Sequence, residues 1–230
     1  KDDWSLIQEA DGIIALGKFS PKTIQDLESY GKPLIFVDSN TLYLGHSCVT
    51  TDLEDSVITA LEHFLEHHHK EIGLLVGQEE TADATPLQMD PRQRVFQQFL
   101  TGKGLYEERF VAVGQFSTES GYQMMEQLIQ SLGDDLPTAF FMASDAIAVG
   151  ALRSLQEHQI AVPDRVSLIS FNDTSIAKYV FPALSTVTVY TEEMGKQAIQ
   201  MLRQTFQGSQ PSVPCMVKLA TKLTIRDSSR

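Results

Sequence analysis

Cysteine is nearly absent from this chain: Cys48 and Cys215 are the only two in 230 residues. A small secreted scaffold held by disulfides needs more, and a structural metal site needs them closer together. Each lies in an apolar run of strand character, which reads as two free buried thiols in a reducing compartment. Positive charge is scarce too, with 18 Lys and Arg against 30 Asp and Glu, a formal net charge of −12. A surface of that sign repels phosphate, whereas nucleic-acid binding draws on cationic side chains and the counterions they release. The chain as it stands is therefore not expected to hold DNA. No stretch approaches the roughly eighteen uncharged apolar residues of a membrane helix. No apolar signal segment follows Lys1-Asp2-Asp3-Trp4.

What is present is the composition of a folded globular chain, 42% hydrophobic and 21% charged. Short apolar runs alternate with longer amphipathic stretches. Ile13–Leu16, Leu34–Val37, Ser47–Thr50, Ile72–Val76, Phe110–Val113, Ala139–Met142, Val166–Ser170, Leu184–Val189 and Met216–Ile225 read as strands. Between them, Val57, Leu61, Phe64 and Leu65 recur at helical spacing, as do Val95, Phe96, Phe99 and Leu100. Further helices are expected after Ser20-Pro21, over Thr118–Ile129, Ser144–His158 and Glu192–Phe206. Runs such as Leu74-Leu75-Val76 and Phe140-Phe141-Met142 are apolar on both faces. A parallel sheet sandwiched between helix layers requires that, so the fold class is doubly wound α/β.

The second half carries a resemblance. Ser144-Asp145-Ala146-Ile147-Ala148-Val149-Gly150, Val162-Pro163-Asp164-Arg165-Val166, Ser170-Phe171-Asn172-Asp173 and Pro182-Ala183-Leu184-Ser185-Thr186 occur in one order before a closing Leu223-Thr224-Ile225-Arg226-Asp227. With Asp11-Gly12-Ile13-Ile14 and His68-His69-Lys70-Glu71-Ile72-Gly73 upstream, the set resembles the effector-binding core of the LacI/GalR transcription regulators. The Ser-Phe-Asn-Asp stretch is similar to repressors of galactose and galactoside operons.

That resemblance implies a periplasmic-binding-protein-like fold: two interleaved doubly wound lobes with parallel sheets, joined by three crossovers. The expected crossovers lie near Thr50–Asp52, Val187 and Pro214, giving an N-terminal lobe of 1–50 plus 188–213 and a C-terminal lobe of 51–187 plus 214–230. Relative to the family pattern the chain looks truncated on its N-terminal side. By resemblance a small sugar or glycoside binds between the lobes, and an absent helix-turn-helix headpiece meets operator DNA in a cytoplasmic homodimer. No cofactor, membrane or metal is implied.

Site residues follow partly from chemistry and partly from the resemblance. Arg92 matches the family's effector-binding arginine, and a planar guanidinium suits vicinal hydroxyls. Its other role is a solvated helix-start cation, paired with Asp90. Asp38 ends a strand at the carboxyl edge, where open α/β sheets bind ligands; its alternative is a turn residue. Asn172 stands where the family has a ligand carboxylate, adding a donor to the acceptor, while Asp173 is expected to cap the next helix. Ser144 is both an N-cap and the family's polar contact. Phe116 matches an aromatic that stacks on the sugar, and Tyr190 and Thr191 are further liners.

Three signals are set aside. Gly12–Lys18 followed by Phe19 imitates a phosphate loop, but lacks its Ser/Thr and runs through a strand. His63, His67, His68 and His69 cluster near a helix end, where imidazoles suit the dipole better than zinc. No nucleophile, base and oxyanion hole assemble, so the chain is not read as an enzyme. The alternative from another class is an extracytoplasmic sugar-binding protein of a transporter.

Overall fold

Ser20 shows how local sequence sets the elements: its hydroxyl accepts from the Thr23 backbone N–H while Pro21 takes the first helical position. The computed structural model describes residues 5–82 and 89–230. The first elements are α1 (Ser5–Glu9), β1 (Ile13–Leu16), α2 (Pro21–Glu28), β2 (Leu34–Val37) and β3 (Cys48–Thr51). Then come α3 (Leu53–Glu66), β4 (Ile72–Gly77), α4 (Pro91–Gly102), β5 (Val111–Gly114), α5 (Thr118–Leu132) and β6 (Ala139–Met142). The chain continues through α6 (Asp145–Glu157), β7 (Ser167–Asn172), α7 (Ile176–Tyr179) and β8 (Ser185–Thr188). It closes with α8 (Thr191–Phe206), β9 (Met216–Leu219) and β10 (Lys222–Thr224).

Two compact units result. The described part of the first comprises residues 5–52, 80–82 and 190–220. Its four-stranded sheet has the order β1-β2-β3-β9, parallel throughout. Ala15, Ile24, Leu27, Phe36 and Cys48 form its core. Cys48 is buried and Cys215 half-buried, both as free thiols, so only one of the pair has the buried position expected.

The second unit comprises 53–79, 89–189 and 221–230. Its six-stranded sheet, ordered β10-β8-β7-β6-β4-β5, is parallel except for β10 against β8. Alternate strand residues feed two cores: Leu74, Val76, Phe141 and Ile169 meet Val57, Leu61 and Phe64 of α3 with Val95, Phe96 and Leu100 of α4. Leu75, Phe140, Met142 and Leu168 meet Met125 and Leu128 of α5 with Ile147, Ala151 and Leu155 of α6. Strands apolar on both faces are thus explained by a helix layer on each side. Helices α5 and α6 touch backbone to backbone. A Cβ on Gly150 would lie 1.9 Å from the Thr118 carbonyl oxygen, and one on Gly121 2.2 Å from that of Ile147.

One expectation is corrected here. Met216–Ile225 is not one extended segment in one lobe. β9 pairs with β3 in the first unit and β10 with β8 in the second, so the chain passes between units at Ala220-Thr221 rather than near Pro214. A β-rich apolar run carries no mark of where it changes sheets. Residues 80–82 also fall in the first unit, where the Ala82 N–H donates to the Lys18 carbonyl at 2.8 Å.

Candidate functional site

Strand order in the six-stranded sheet reverses between β4 and β6: from β4 the chain winds to β5 on one side, then to β6, β7 and β8 on the other. Open parallel sheets bind ligands outside the carboxyl ends of the strands beside such a reversal. Here those ends are Gly77, Ala143 and Asn172.

Arg92 lies at this edge, in the first turn of α4. Asp90 is the N-cap, accepting from the Arg92 backbone N–H at 2.8 Å, and Pro91 fills the next position. The same carboxylate receives the guanidinium in a two-pronged pair, Nε to Oδ1 at 2.8 Å and Nη2 to Oδ2 at 2.6 Å. Nη2 also donates to Glu79 Oε1 at 3.1 Å, and Nη1 to the Ala143 carbonyl at 2.9 Å. Two aromatic rings lie within cation–π distance: the central carbon is 4.8 Å from the Phe116 ring centre and 5.4 Å from that of Phe171. A guanidinium so placed is fixed in plane and tilt. Gly77 makes room for one wall, since a Cβ there would fall 2.4 Å from Phe116 Cδ2 and 2.7 Å from the Phe116 backbone nitrogen.

The two roles weighed for Arg92 resolve into a third. It is paired with Asp90, yet both side chains are buried rather than solvated. Arg94, two residues on, is exposed, as expected.

Ser144 follows β6 and caps α6, its Oγ accepting from the Ile147 N–H at 3.2 Å. Asn172 ends β7 with a positive φ of 106°, followed by Asp173 at 57°. Asp173 does not cap α7. Its carboxylate instead takes Arg226 Nη2 at 2.7 Å and Thr188 Oγ1 at 2.9 Å, and Ser175 precedes the helix. The partner for that carboxylate comes from 53 residues away, beyond local capping rules. By contrast, the Asn172 amide makes no hydrogen bond with any described residue.

Arg92, Phe116, Ser144 and Asn172 therefore all belong to the second unit. The other three expected residues belong to the first. Asp38 follows β2 with φ 64° and pairs through Oδ2 with Lys18 Nζ at 3.2 Å. Tyr190 precedes α8 and Thr191 opens it, both exposed.

Sequence reasoning missed two carboxylates. Glu79, just past β4, also pairs with Arg92. Asp145, 1% exposed, accepts from Ser170, Thr174 and Thr186. Position at a strand's end was the only signal for either, and it does not separate a ligand contact from a buried anchor.

His63 lies in the last turn of α3, and His67, His68 and His69 follow it. His67 Nδ1 lies 2.8 Å from the His63 carbonyl and His69 Nδ1 2.9 Å from Thr138 Oγ1. Burial, and next the charge of His67, hold His63 and His69 below the ordinary imidazole range. Among the described residues no group of three or more His, Cys, Asp or Glu is arranged to hold a metal ion. Among them, too, no helix is long and apolar enough to cross a membrane.

Comparison with known proteins matches residues 61–229 to the periplasmic binding protein-like domain. The HTH-type transcriptional regulator GalR of Streptococcus thermophilus is 49% identical over 98% of this chain and 68% of its own length. The regulator of the same name from Lacticaseibacillus casei is 36% identical over 96% of the chain and 67% of that protein. A crystal structure of a sugar-binding LacI-family transcriptional regulator from Escherichia coli, complexed with phosphate, superposes with a TM-score of 0.80. It is 27% identical, covering 98% of this chain and 79% of that one. Each of these relatives is named as a transcriptional regulator. On that evidence the chain belongs to the LacI/GalR family of transcriptional regulators, with the periplasmic-binding-protein-like fold of that family's effector-binding core.

Proposed function

We propose that this core senses a galactose-type sugar or glycoside, and that binding rather than turnover is its activity. The observation that carries the reading is the Arg92 guanidinium, held by Asp90 near Phe116 and Phe171 at the strand-order reversal. The Ser144 hydroxyl and an Asn172 amide with no partner among the described residues suit a ligand of many hydroxyls, beside a guanidinium whose bonds to Asp90, Glu79 and Ala143 occupy four of its five N–H groups. Asp38, Tyr190 and Thr191 are proposed contacts on the first unit. The similarity to regulators named GalR supports galactose over other sugars.

In the full regulator the sugar changes operator binding by its differential affinity for two states of the protein, typically about 1–3 kcal/mol. Operator DNA is met by a headpiece outside these residues, in the cytoplasm, and the regulator works as a homodimer. Exposed Ile176, Tyr179 and Phe181 on the second unit offer apolar surface for that pairing. The test is a melting-shift screen of D-galactose, lactose, melibiose, cellobiose and D-glucose. A shift with galactose or a galactoside supports the reading; silence to all of them contradicts it.

A further inference from the structure

Asp145 is buried and forms no ion pair with any described residue, yet it gathers four hydrogen bonds from three segments. Oδ1 accepts from Ser170 Oγ at 2.5 Å in β7 and from Thr186 Oγ1 at 3.0 Å in β8. Oδ2 accepts from the Thr174 backbone N–H at 2.6 Å and from Thr174 Oγ1 at 2.8 Å. The Thr186 hydroxyl, aligned by Oδ1, in turn accepts the Asp173 N–H at 3.3 Å. One carboxylate thus fixes, directly or through one hydroxyl, two successive backbone amides after Asn172. Asn172 and Asp173 both have positive φ, a region uncommon for non-glycine residues and adopted most readily by Asn and Asp. Asp145 sits in the first turn of α6, where the helix dipole favours a negative charge.

We propose that Asp145 is a positioning residue. It holds the left-handed turn that presents the Asn172 amide, and so sets sugar affinity and selectivity without touching the sugar. The proposal rests on the sugar-sensing reading above. A carboxylate suits the task because all four incoming groups are donors. In Asp145→Asn only one oxygen remains to accept: turned to the Thr174 N–H, it leaves the amide nitrogen against the Ser170 and Thr186 hydroxyls, which lose their acceptor.

Two measurements test it. In the sugar-free chain, amide exchange at Asp173 should accelerate in Asp145→Asn and leave α3 protection unchanged. Calorimetric titration with D-galactose should then show affinity weakened at least about fivefold. The weakening should vanish when Asn172→Ala is already present, because a positioning residue acts only through the group it positions. Should Asp145→Asn not fold, Thr186→Val removes one leg of the network at constant volume and enters the same cycle. Unchanged exchange overturns the anchor. Faster exchange with unchanged affinity, or losses that add across the cycle, overturns the positioning role. A wild-type chain that ignores galactose overturns the sugar reading, and the exchange result alone then judges the anchor.

Discussion

The Asp90 carboxylate and the Arg92 guanidinium meet through two parallel hydrogen bonds of 2.8 and 2.6 Å, and that same carboxylate caps the helix carrying Arg92. One residue thereby starts α4 and orients the cation projecting from it. Glu79 also accepts from the cation. Arg92 is thus a fixed part of the second unit rather than a mobile arm.

Removing Asp90 should be expensive. Asp90→Ala deletes the helix cap and leaves a buried guanidinium short of its principal partner, a loss of about 3 kcal/mol. In a chain of this size that lowers Tm by roughly 6–12 °C. Thermal unfolding followed by circular dichroism checks it, and a Tm within 2 °C of wild type, about a 1 kcal/mol change, contradicts it.

Gly150→Ala places a methyl 1.9 Å from the Thr118 carbonyl oxygen. The obstacle is backbone, which no rotamer change relieves, so α5 and α6 have to separate. A destabilisation of about 2 kcal/mol is expected in denaturant titration. Gly102→Ala, where nothing lies within 4 Å of the added atom, should leave stability unchanged or slightly raised.

Stability should fall in mild acid because of the helix-end histidines. Desolvation, then the charge of His67, lowers the pKa of His63 below 6.5, and the same two causes act on His69. The folded state therefore binds fewer protons than the unfolded one as pH drops through 6.5. Stability contributed by the neutral rings is complete above that value and is lost as pH falls toward the lower folded pKa. His63 Nε2 is buried without a hydrogen bond, so His63→Leu removes a titrating group at little structural cost. Its Tm should decline less than that of wild type between about pH 7.5 and 5.5. Equal declines would exclude His63 as a contributor.

If the regulator pairs through the second unit, charge on its apolar patch should separate the copies. Tyr179 and Phe181 are 85% and 86% exposed. Tyr179→Asp combined with Phe181→Asp should shift sedimentation from dimer to monomer without lowering Tm. A dimer that survives both changes places the contact elsewhere.

Much of this was legible in the sequence, and the failures share a cause. Ser20 and Ser144 announce helix starts because capping is local, and Leu74-Leu75-Val76 announces a doubly covered strand because burial on both faces leaves no polar alternation. Arg92 could be singled out, but its environment could not, since Glu79, Ala143, Phe116 and Phe171 converge on it from four separate segments. Asp173 was misjudged for the same reason: a local cap was expected, and a partner 53 residues away took the carboxylate. Met216–Ile225 read as one strand because hydrophobicity reports that a segment is extended, not which sheet it joins.

The central claim is that the site built around Arg92 holds a sugar. Arg92→Ala tests it poorly, because it strands the buried Asp90 carboxylate and destabilises the unit along with the site. Arg92→Lys keeps the charge but loses the planar fork and its place beside two rings. The decisive measurement is calorimetric titration of D-galactose into wild type and Arg92→Lys, with both confirmed folded by circular dichroism. Saturable binding to wild type, weakened at least about tenfold in Arg92→Lys, is the predicted result. Equal affinity in the two proteins would contradict it.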